Sequence, residues 1–490
     1  MQAFLEEKFH LKENGTTVST EVMAGLSTFF AMSYIIFVNP SILSQAGMPY
    51  EGVFLATILA AGIATLFMGL YANVPYALAS GMGLNAFFTY TVVLNLGFTW
   101  QEALAMVFIC GLLNIVMTIT SLRRQIIKAI PDDLQAAISG GIGVFIAYIG
   151  IKNAGFVQFS ADSGAITSIN NAPYDPAQTV YENGITAFSS SGGTLPSITT
   201  FTEPMTLLAV FALLLTIILL VKKVRGAVLI GILTTTVAYV VLNPDLLSSL
   251  GSGNAGLGES FGQFGEVFGA ALGSQGLGSL FSDPARIPLV LVTIFAFSLA
   301  DVFDTIGMFI GSGRQSGIFS KDDVNSINET GKQSKLDKAL FGDVVGTSLG
   351  AVLGTSNTTV FAESQVGISN GGRTGLTSVV TAIAMFLCIF IAPFVSLVPT
   401  AATAPALIIV GIMMMASFTE VDWNNLAIAI PAFFASIFMG YSYSVANGIA
   451  VGFILYCLTM TVTGRSKDVH PILWGASGLF ILNFVVMAFI

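Results

Sequence analysis

The amino-acid sequence predicts an all-α polytopic membrane protein. Of its 490 residues, 54% are hydrophobic and only 9% are charged, whereas a soluble domain carries about 25% charged residues. The apolar stretches are long and unbroken, unlike the short alternating segments of a membrane β-barrel. Many of them reach the length of about 20 residues that a helix needs to cross a bilayer.

The same composition excludes several other classes of protein. A net charge of −9 leaves no basic surface for nucleic acid. The three cysteines, Cys110, Cys388 and Cys457, lie in apolar stretches, so no disulfide framework is indicated. The N-terminal run MQAFLEEKFHLKENG is polar, so a cleaved signal peptide is not expected. We also expect no cofactor and no bound metal.

Apolar windows place the candidate spans along the chain. They lie near 23–43, 52–72, 76–96, 101–122, 133–152, 204–221, 226–243, 288–312, 339–355, 358–370, 376–398, 402–417, 425–440, 443–463 and 471–490. Several windows are short or interrupted by glycine, so there are fewer complete spans than windows. We expect that one short helix near 402–463 does not cross, or that the last segment is peripheral.

The basic residues predict the orientation, because lysine and arginine concentrate in cytoplasmic loops. With a cytoplasmic N-terminus, the loops after even-numbered spans are cytoplasmic. These loops hold Arg123, Arg124, Lys128, Lys222, Lys223, Arg225, Arg314, Lys321, Lys332, Lys335 and Lys338. The long loop near 153–203 contains no lysine or arginine, and the loop near 244–287 contains only Arg286. We therefore expect both long loops to face outward.

A weak internal repeat indicates a transporter. Ile130-Pro131 precedes SGGIGVFIAYIG and Val398-Pro399 precedes PALIIVGIMMM, with Gly143 and Gly411 at equal offsets. In each half a Gly/Ser/Asn-rich apolar segment comes before this element, at 77–88 and at 354–372. Interrupted segments at corresponding places in two halves are typical of a binding site built from broken helices.

Four carboxyl residues stand inside apolar runs: Asp301, Asp304, Asp343 and Glu363. A charge at the centre of a membrane costs about 2.5–3.5 kcal/mol on insertion scales, so such residues are functional candidates. Asp301 and Asp304 share one helix face, and their run contains no basic residue. Burial and mutual repulsion favour a proton on at least one of them, which suits proton coupling. The alternatives are that Asp304 only braces a neighbouring helix and that Asp343 only caps its own helix.

Glu363 follows GTSNTT, whose small and polar residues would interrupt a helix in lipid, and Asn85 holds a similar place in the first half. Carboxylate acceptors beside an amide suit a flat, neutral heterocycle with several N–H donors. Phe87, Phe88 and Phe361 are near enough in sequence to stack on it. Each of these aromatic residues also has an ordinary interpretation as packing.

These motifs together resemble the AzgA-like purine permeases, a branch of the nucleobase/cation symporters related to uracil and xanthine permeases. The resemblance covers nearly the whole chain. It rests on LKENGTTVSTEVMAGLSTFFAMSYIIFVNPSIL, ASGMGLNAFFTYTVV, PDDLQAAISGGIGVFIAYIGIKNAG, FSLADVFDTIGMFIG and GTSNTTVFAESQVGISNGGRTGLTSVV, in this order.

The resemblance implies about 14 transmembrane segments in two inverted repeats of seven, divided into a core and a gate domain. Segments 3 and 10 would each combine a short extended stretch with a half-helix. The implied divisions are a cytoplasmic segment at 1–22, a core at 23–122 and 288–398, and a gate at 123–243 and 399–490. The gate domain of such proteins often forms a dimer contact, so a homodimer is an expectation.

The resemblance also implies roles for individual residues. Glu363 and Asp301 look like the main substrate-binding carboxylates, with Asn85 and Phe361 beside them. Asp304 looks like the acid tied to proton coupling, a role for which Asp301 is the second candidate. Many relatives have a Ser-Thr-Val-Thr start and an ESAAG continuation where this chain has GTSNTTVFAESQVG, so Asn357 and Gln365 are points at which substrate preference could differ.

The resulting hypothesis is a proton-coupled importer of purine bases such as hypoxanthine, guanine or adenine, located in the cell membrane. An intramembrane aspartyl enzyme is an alternative, but Asp301 and Asp304 share one helix and the sequence contains no GxGD motif. A Na⁺-coupled nucleobase transporter and a channel are two more hypotheses for the same chain.

Overall fold

The computed structural model describes residues 2–120, 129–160, 166–169, 172–173, 188–191, 195–244, 257–316, 318–319, 323 and 334–489. Five of the basic residues used to predict the orientation lie outside this described part, namely Arg123, Arg124, Lys128, Lys321 and Lys332.

The first half of the chain is helical apart from one short central strand and a group of strands in a loop. Its elements are α1 (Gln2–Phe9), α2 (Val18–Met32), α3 (Ile35–Leu43), α4 (Tyr50–Phe67), β1 (Leu78–Ser80), α5 (Met82–Ala86), α6 (Trp100–Ile119), α7 (Asp132–Asn153), β2 (Val157–Ser160), β3 (Ile166–Ile169), β4 (Ala172–Pro173), β5 (Phe188–Ser190), β6 (Leu195–Ile198), α8 (Pro204–Val221) and α9 (Ala227–Leu242). π-Helical turns continue α4 over Met68–Ala72 and α5 over Phe87–Asn95.

The second half repeats the combination of long helices with one short central strand. Its elements are α10 (Leu257–Val267), α11 (Leu277–Leu280), α12 (Ile287–Ser316), α13 (Lys335–Leu353), β7 (Thr358–Val360), α14 (Ser364–Ser369), α15 (Gly375–Leu387), α16 (Thr400–Met414), α17 (Leu426–Phe434), α18 (Ile437–Ser442), α19 (Val445–Val462) and α20 (Pro471–Phe489). Tighter 3₁₀ turns continue α15 over Cys388–Leu397 and α16 over Met415–Glu420.

The helices agree closely with the apolar windows of the sequence. Within the described ranges, nine helices are long and apolar enough to cross a membrane. The window near 425–440 is broken at Ser436, and neither α17 nor α18 is long enough to cross by itself. This break agrees with the expectation of an incomplete span near 402–463. The multi-pass architecture is confirmed, whereas the total of 14 segments stays a prediction.

The loop near 153–203 contains β-structure, so the prediction of an all-α protein is wrong at this point. β2 pairs antiparallel with β6, and β3 pairs antiparallel with β4 and β5. These strands are only two to four residues long. Such strands are too short to show the alternation of apolar and polar residues by which a strand is recognised in a sequence.

Two short strands pair at the centre of the molecule. β1 runs antiparallel to β7, with Leu78 opposite Val360 and Ser80 opposite Thr358, and every residue of both strands is buried. Each strand leads into a short helix, α5 after β1 and α14 after β7. The prediction of extended stretches joined to half-helices in these two segments is therefore confirmed.

Close helix packing joins the two halves of the chain at the glycines of the internal repeat. A Cβ atom added to Gly143 in α7 would lie 2.6 Å from the carbonyl oxygen of Gly411 in α16. A Cβ atom added to Gly411 would lie 2.5 Å from the carbonyl oxygen of Gly143. Because small residues allow helix backbones to approach in a membrane, both positions require glycine.

A buried carboxylate makes a second connection between the halves. Glu21 in α2 accepts hydrogen bonds from the backbone nitrogens of Arg373, at 2.8 Å, and Thr377, at 3.1 Å. The hydroxyl of Thr377 also donates to Glu21, at 2.6 Å. The bond from the Thr377 nitrogen satisfies one amide in the first turn of α15, where amides have no partners within the helix.

We predict that Gly411→Ala lowers the thermal stability of the detergent-solubilised protein by several degrees, because overpacking costs about 1–3 kcal/mol. Gly475→Ala is the matched control, since a Cβ atom there meets no atom within 4 Å. Melting curves of both purified variants test the prediction. Equal melting temperatures for the two variants would contradict the proposed contact.

Candidate functional site

Glu363 lies at the start of α14, where the chain leaves β7. Its side chain is half-buried, and the neighbouring Ala362 and Gln365 are exposed, so this turn borders open space. The hydroxyl of Tyr34 donates a hydrogen bond to Oε1 of Glu363. The ring of Phe361 lies beside that of Tyr34, with 6.4 Å between centroids. The hydrogen bond to Oε1 therefore orients the carboxylate of Glu363, while the turn that carries it remains accessible.

Asp301 lies deeper, at the junction of α12, α6 and α13. Its carboxylate is fully buried, and Oδ2 accepts a 2.7 Å hydrogen bond from Nδ2 of Asn114 in α6. The hydroxyl of Ser298 donates to Oδ1 of Asn114 at 2.5 Å, which fixes the amide with its donor toward Asp301. Thr347 of α13 lies 3.4 Å from both carboxylate oxygens. Asp301 is thus the centre of a polar network rather than an isolated charge.

Asp304 follows one turn later on α12 and is less enclosed than Asp301. Its side chain is half-buried and lies within electrostatic range of Asp343 and Glu363. In the described part of the chain it makes no hydrogen bond, so nothing there supports the alternative that it braces a neighbouring helix. The structure therefore brings Asp304 and Glu363 together from different segments.

Asp343 holds β7 in place, and the alternative that it caps its own helix is wrong. The cap of α13 is Ser334, which forms a reciprocal capping box with Asp337. Asp343 lies two turns further on and is fully buried. It accepts a 3.0 Å hydrogen bond from the backbone nitrogen of Val360 and a 2.6 Å bond from the hydroxyl of Thr305.

Asn85 lies in α5 and is fully buried. Its Oδ1 accepts a hydrogen bond from the hydroxyl of Ser356, while its Nδ2 has no partner in the described part of the chain. Its correspondence with Glu363 is only approximate, because Asn85 lies within its helix and Glu363 precedes its helix. Asn85 consequently offers a buried hydrogen-bond donor near the crossing of the strands.

The predicted aromatic residues are buried in two separate places. Phe87 packs on Phe297 of α12, with 4.5 Å between ring centroids, and Phe88 is fully buried. Phe361 packs beside Tyr34, as described above. Phe87 therefore lies in the segment that follows β1, whereas Phe361 directly follows β7.

Sequence reasoning missed several polar partners of the carboxyl groups. They are Tyr34, Asn114, Ser298 and Thr347. Each is a neutral residue in an apolar run. Such residues are common in membrane helices, so their presence in the sequence does not indicate a functional role. Together with these partners, the carboxyl groups can accept hydrogen bonds from N–H donors and can carry a proton. Within the described ranges no cluster of His, Cys, Asp or Glu suits a metal ion.

A cavity of about 780 Å³ lies between the segments predicted as core and gate, and none of the four candidate carboxyl residues is among its lining residues. Gln45 and Asn153 are among its lining residues. The hydroxyl of Tyr90 donates to Oε1 of Gln45 at 3.0 Å and accepts from Nδ2 of Asn153 at 3.1 Å. Tyr90 belongs to the same continuous segment as Asn85, so this segment is bonded to two lining residues of the cavity and also carries a residue of the candidate site.

Comparison with known proteins identifies permeases as relatives of this chain. The xanthine/uracil permease model, described as "Permease family", matches residues 19–181 and 178–451. The chain is 35% identical to the guanine/hypoxanthine permease PbuO of Bacillus subtilis, over 98% of this chain and 100% of that protein. It is also 35% identical to the adenine permease AdeP of Escherichia coli, over 99% of this chain and 96% of that protein.

Solved structures support the fold. The transmembrane domain of the cyanobacterial bicarbonate transporter BicA superposes with a TM-score of 0.54 at 16% identity, covering 90% of this chain and 96% of that domain. At this identity the likeness concerns the fold alone. The family match, by contrast, extends over most of the chain, and the named relatives align over nearly its full length. The chain therefore belongs to the xanthine/uracil permease family, as a multi-pass membrane transporter and not an enzyme.

Proposed function

We propose that this protein is a secondary active transporter that imports purine nucleobases, such as hypoxanthine, guanine and adenine, by proton symport. The names of the guanine/hypoxanthine and adenine permeases that align over nearly the full chain support the substrate class. The observation that carries the proposal is the position of Glu363. Its half-buried carboxylate stands at a broken helix between the two halves, with a neutral phenol as its hydrogen-bond partner.

The proposed binding site joins groups from both halves of the chain. Glu363 accepts hydrogen bonds from the N–H groups of the purine, and Nδ2 of Asn85, which has no partner among the described residues, donates to a ring nitrogen or carbonyl. Phe361 and Phe87 provide apolar faces for the flat ring. Asp301, Asn85 and Phe87 are all buried in this conformation, so they contact the purine only after their surroundings rearrange. A planar neutral heterocycle is the ligand that such a donor and acceptor set recognises.

The proposed coupling ion is the proton, carried by Asp304 and Asp301. Asp304 lies near two other carboxyl groups, and no ion pair in the described part of the chain involves it. Adding a proton reduces repulsion among these carboxyl groups, which favours H⁺ entry together with a neutral substrate. A Na⁺ ion would instead require an assembled set of oxygen ligands.

Alternating access is the proposed mechanism, with a core domain moving against a gate domain. The antiparallel pairing of β1 with β7 and the mutual contact of Gly143 and Gly411 support two inverted repeats. The 780 Å³ cavity, lined by Gln45 and Asn153 among others, supports a path between core and gate. In this proposal the N-terminus is cytoplasmic, the protein lies in the cell membrane, and the gate segments form a homodimer contact.

We predict that Glu363→Gln raises the KM for hypoxanthine uptake at least tenfold, because a hydrogen bond to a charged group contributes about 1.5–3 kcal/mol. Glu203→Gln is the matched control, since Glu203 is exposed before α8. Uptake of labelled hypoxanthine into cells expressing equal amounts of each variant gives the measurement. An unchanged KM in Glu363→Gln would refute the site assignment.

A second prediction concerns the driving ion. Uptake should collapse when an uncoupler removes the proton gradient and should persist when Na⁺ is replaced by choline. Asp304→Asn should abolish accumulation against a gradient yet retain exchange of labelled for unlabelled purine, because exchange needs no net proton movement. The exposed Asp283 provides the control substitution Asp283→Asn. Uptake that is insensitive to the uncoupler would exclude proton symport.

A further inference from the structure

We propose that Thr347 is a positioning residue that transmits the protonation state of Asp301 to the backbone of β7. This inference rests on the proposed function and deepens it. Thr347 lies in α13 between the two groups, 3.1 Å from the carbonyl oxygen of Thr358 and 3.4 Å from both oxygens of Asp301. All three residues are fully buried, so water does not compete for these contacts.

The register of the strands directs the Thr358 carbonyl toward Thr347. In an antiparallel pair, alternate residues form the cross-strand hydrogen bonds, and the others point their backbone groups outward. The bonds from Gly81 to Asn357 and from Phe361 to Ala77 identify the odd-numbered positions of β7 as the bonded ones. Thr358 and Val360 therefore point away from β1. Val360 meets Asp343, and Thr358 meets Thr347.

The hydroxyl of Thr347 has one hydrogen and two acceptors within reach. When Asp301 is ionised, its carboxylate is the stronger acceptor and attracts this hydrogen. The carbonyl of Thr358 then loses its donor from α13. When Asp301 takes up a proton, its own O–H donates to the Thr347 oxygen, and the Thr347 hydrogen turns to the Thr358 carbonyl. The step requires only the proton gained by Asp301 and a rotation about the Cβ–Oγ1 bond of Thr347.

Asn114 determines which oxygen of Asp301 receives the proton. Its amide is fixed by Ser298 and donates to Oδ2 in either state, so in this proposal the proton is taken up on Oδ1, the oxygen that the amide does not bond. From Oδ1 the proton is directed to the Thr347 oxygen, which lies equally near both carboxylate oxygens. Protonation at one defined atom thereby changes the pairing of one defined carbonyl.

Other ionisable groups surround this network. The elements packed against α12 carry Glu102, Cys110, Asp132, Asp133, Tyr148, Lys152, Arg286, Lys335, Asp337, Lys338, Asp343, Glu363, Tyr456 and Cys457. Of these, Cys110 interacts electrostatically with Asp301, whereas Asp343 and Glu363 interact with Asp304 on the same helix as Asp301. Thr347 contacts both Asp301 and the β7 backbone.

The consequence is a proton-dependent site. β7 leads directly to Phe361 and Glu363, so its fixation orients the turn that we propose to bind purine. At low pH, protonated Asp301 leaves Thr347 to hold β7, and affinity is high. At high pH, Thr347 turns to the carboxylate, β7 is held less firmly, and affinity falls. Proton and purine binding would therefore support each other, as symport requires.

The test measures the KM of hypoxanthine uptake from pH 5.5 to pH 8.5 in cells expressing wild type, Thr347→Val, Thr347→Ser or Thr381→Val. Valine keeps the shape of Thr347 but removes its hydroxyl, and serine keeps the hydroxyl. Thr381 is the matched control, because it is fully buried and donates to backbone carbonyls of Gly25 and Thr377.

In the wild type we expect KM to rise about three- to tenfold across this range, the effect of one net hydrogen bond. Thr347→Val should show the high-pH KM at every pH, Thr347→Ser should restore the pH dependence, and Thr381→Val should match wild type. A wild-type pH profile in Thr347→Val would overturn the inference. An equal change of KM at every pH in both valine variants would also overturn it, since it would indicate a structural effect.

A measurement on the unmodified protein keeps the inference testable if Thr347→Val does not reach the membrane. Hydrogen exchange of the purified wild type, corrected for intrinsic rates, should show less protection of residues 355–362 at pH 8.5 than at pH 5.5. Equal protection at both pH values would overturn the inference. Failure of the proposed function is distinguishable, because wild-type cells would then show no saturable hypoxanthine uptake at any pH.

Discussion

The structure depends on one constraint: two stretches of non-helical backbone lie inside a membrane protein, where every polar backbone group needs a partner. Lipid supplies none, so such stretches persist only where protein groups pair them. β1 and β7 meet part of this need by pairing with each other. Side chains meet the rest, since Thr65 bonds both the nitrogen and the carbonyl of Leu78. Asp343 and Thr347 do the same for β7.

This constraint also explains where the carboxyl groups lie. Asp343 is retained deep in α13 because a neutral apolar residue would leave the Val360 nitrogen unpaired. Asp301 connects to the same strand through Thr347, and Glu363 begins the helix that follows it. The groups that stabilise the broken segment and the groups proposed to bind substrate and proton thus belong to one network. A change at one of them is expected to affect the others.

Much of this arrangement can be predicted from the sequence. Long apolar runs specify the helices, and a carboxyl group in such a run is costly enough to be noticed, as with Asp301, Asp304 and Glu363. Glycine and serine in apolar segments correctly indicate the half-helices. The partners are harder to predict, because Tyr34 and Asn114 are ordinary neutral residues in their own runs.

Other features depend on contacts that are remote in the chain. From the sequence, Asp343 could be either a helix cap or a functional carboxylate. Only the fold shows that Ser334 already caps α13 and that β7 lies against Asp343. The strands of the loop near 153–203 pair residues far apart in sequence, such as Val157 with Ile198. Local patterns of two to four residues cannot specify such pairings.

The proposed mechanism links purine binding to protonation of these buried carboxyl groups. Calorimetric titration of the purified protein with hypoxanthine at pH 7.5, in buffers of different ionisation enthalpy, tests this claim most directly. We expect a binding heat that varies with the buffer, in the direction of net proton uptake by the complex. A binding heat that is the same in every buffer would contradict it.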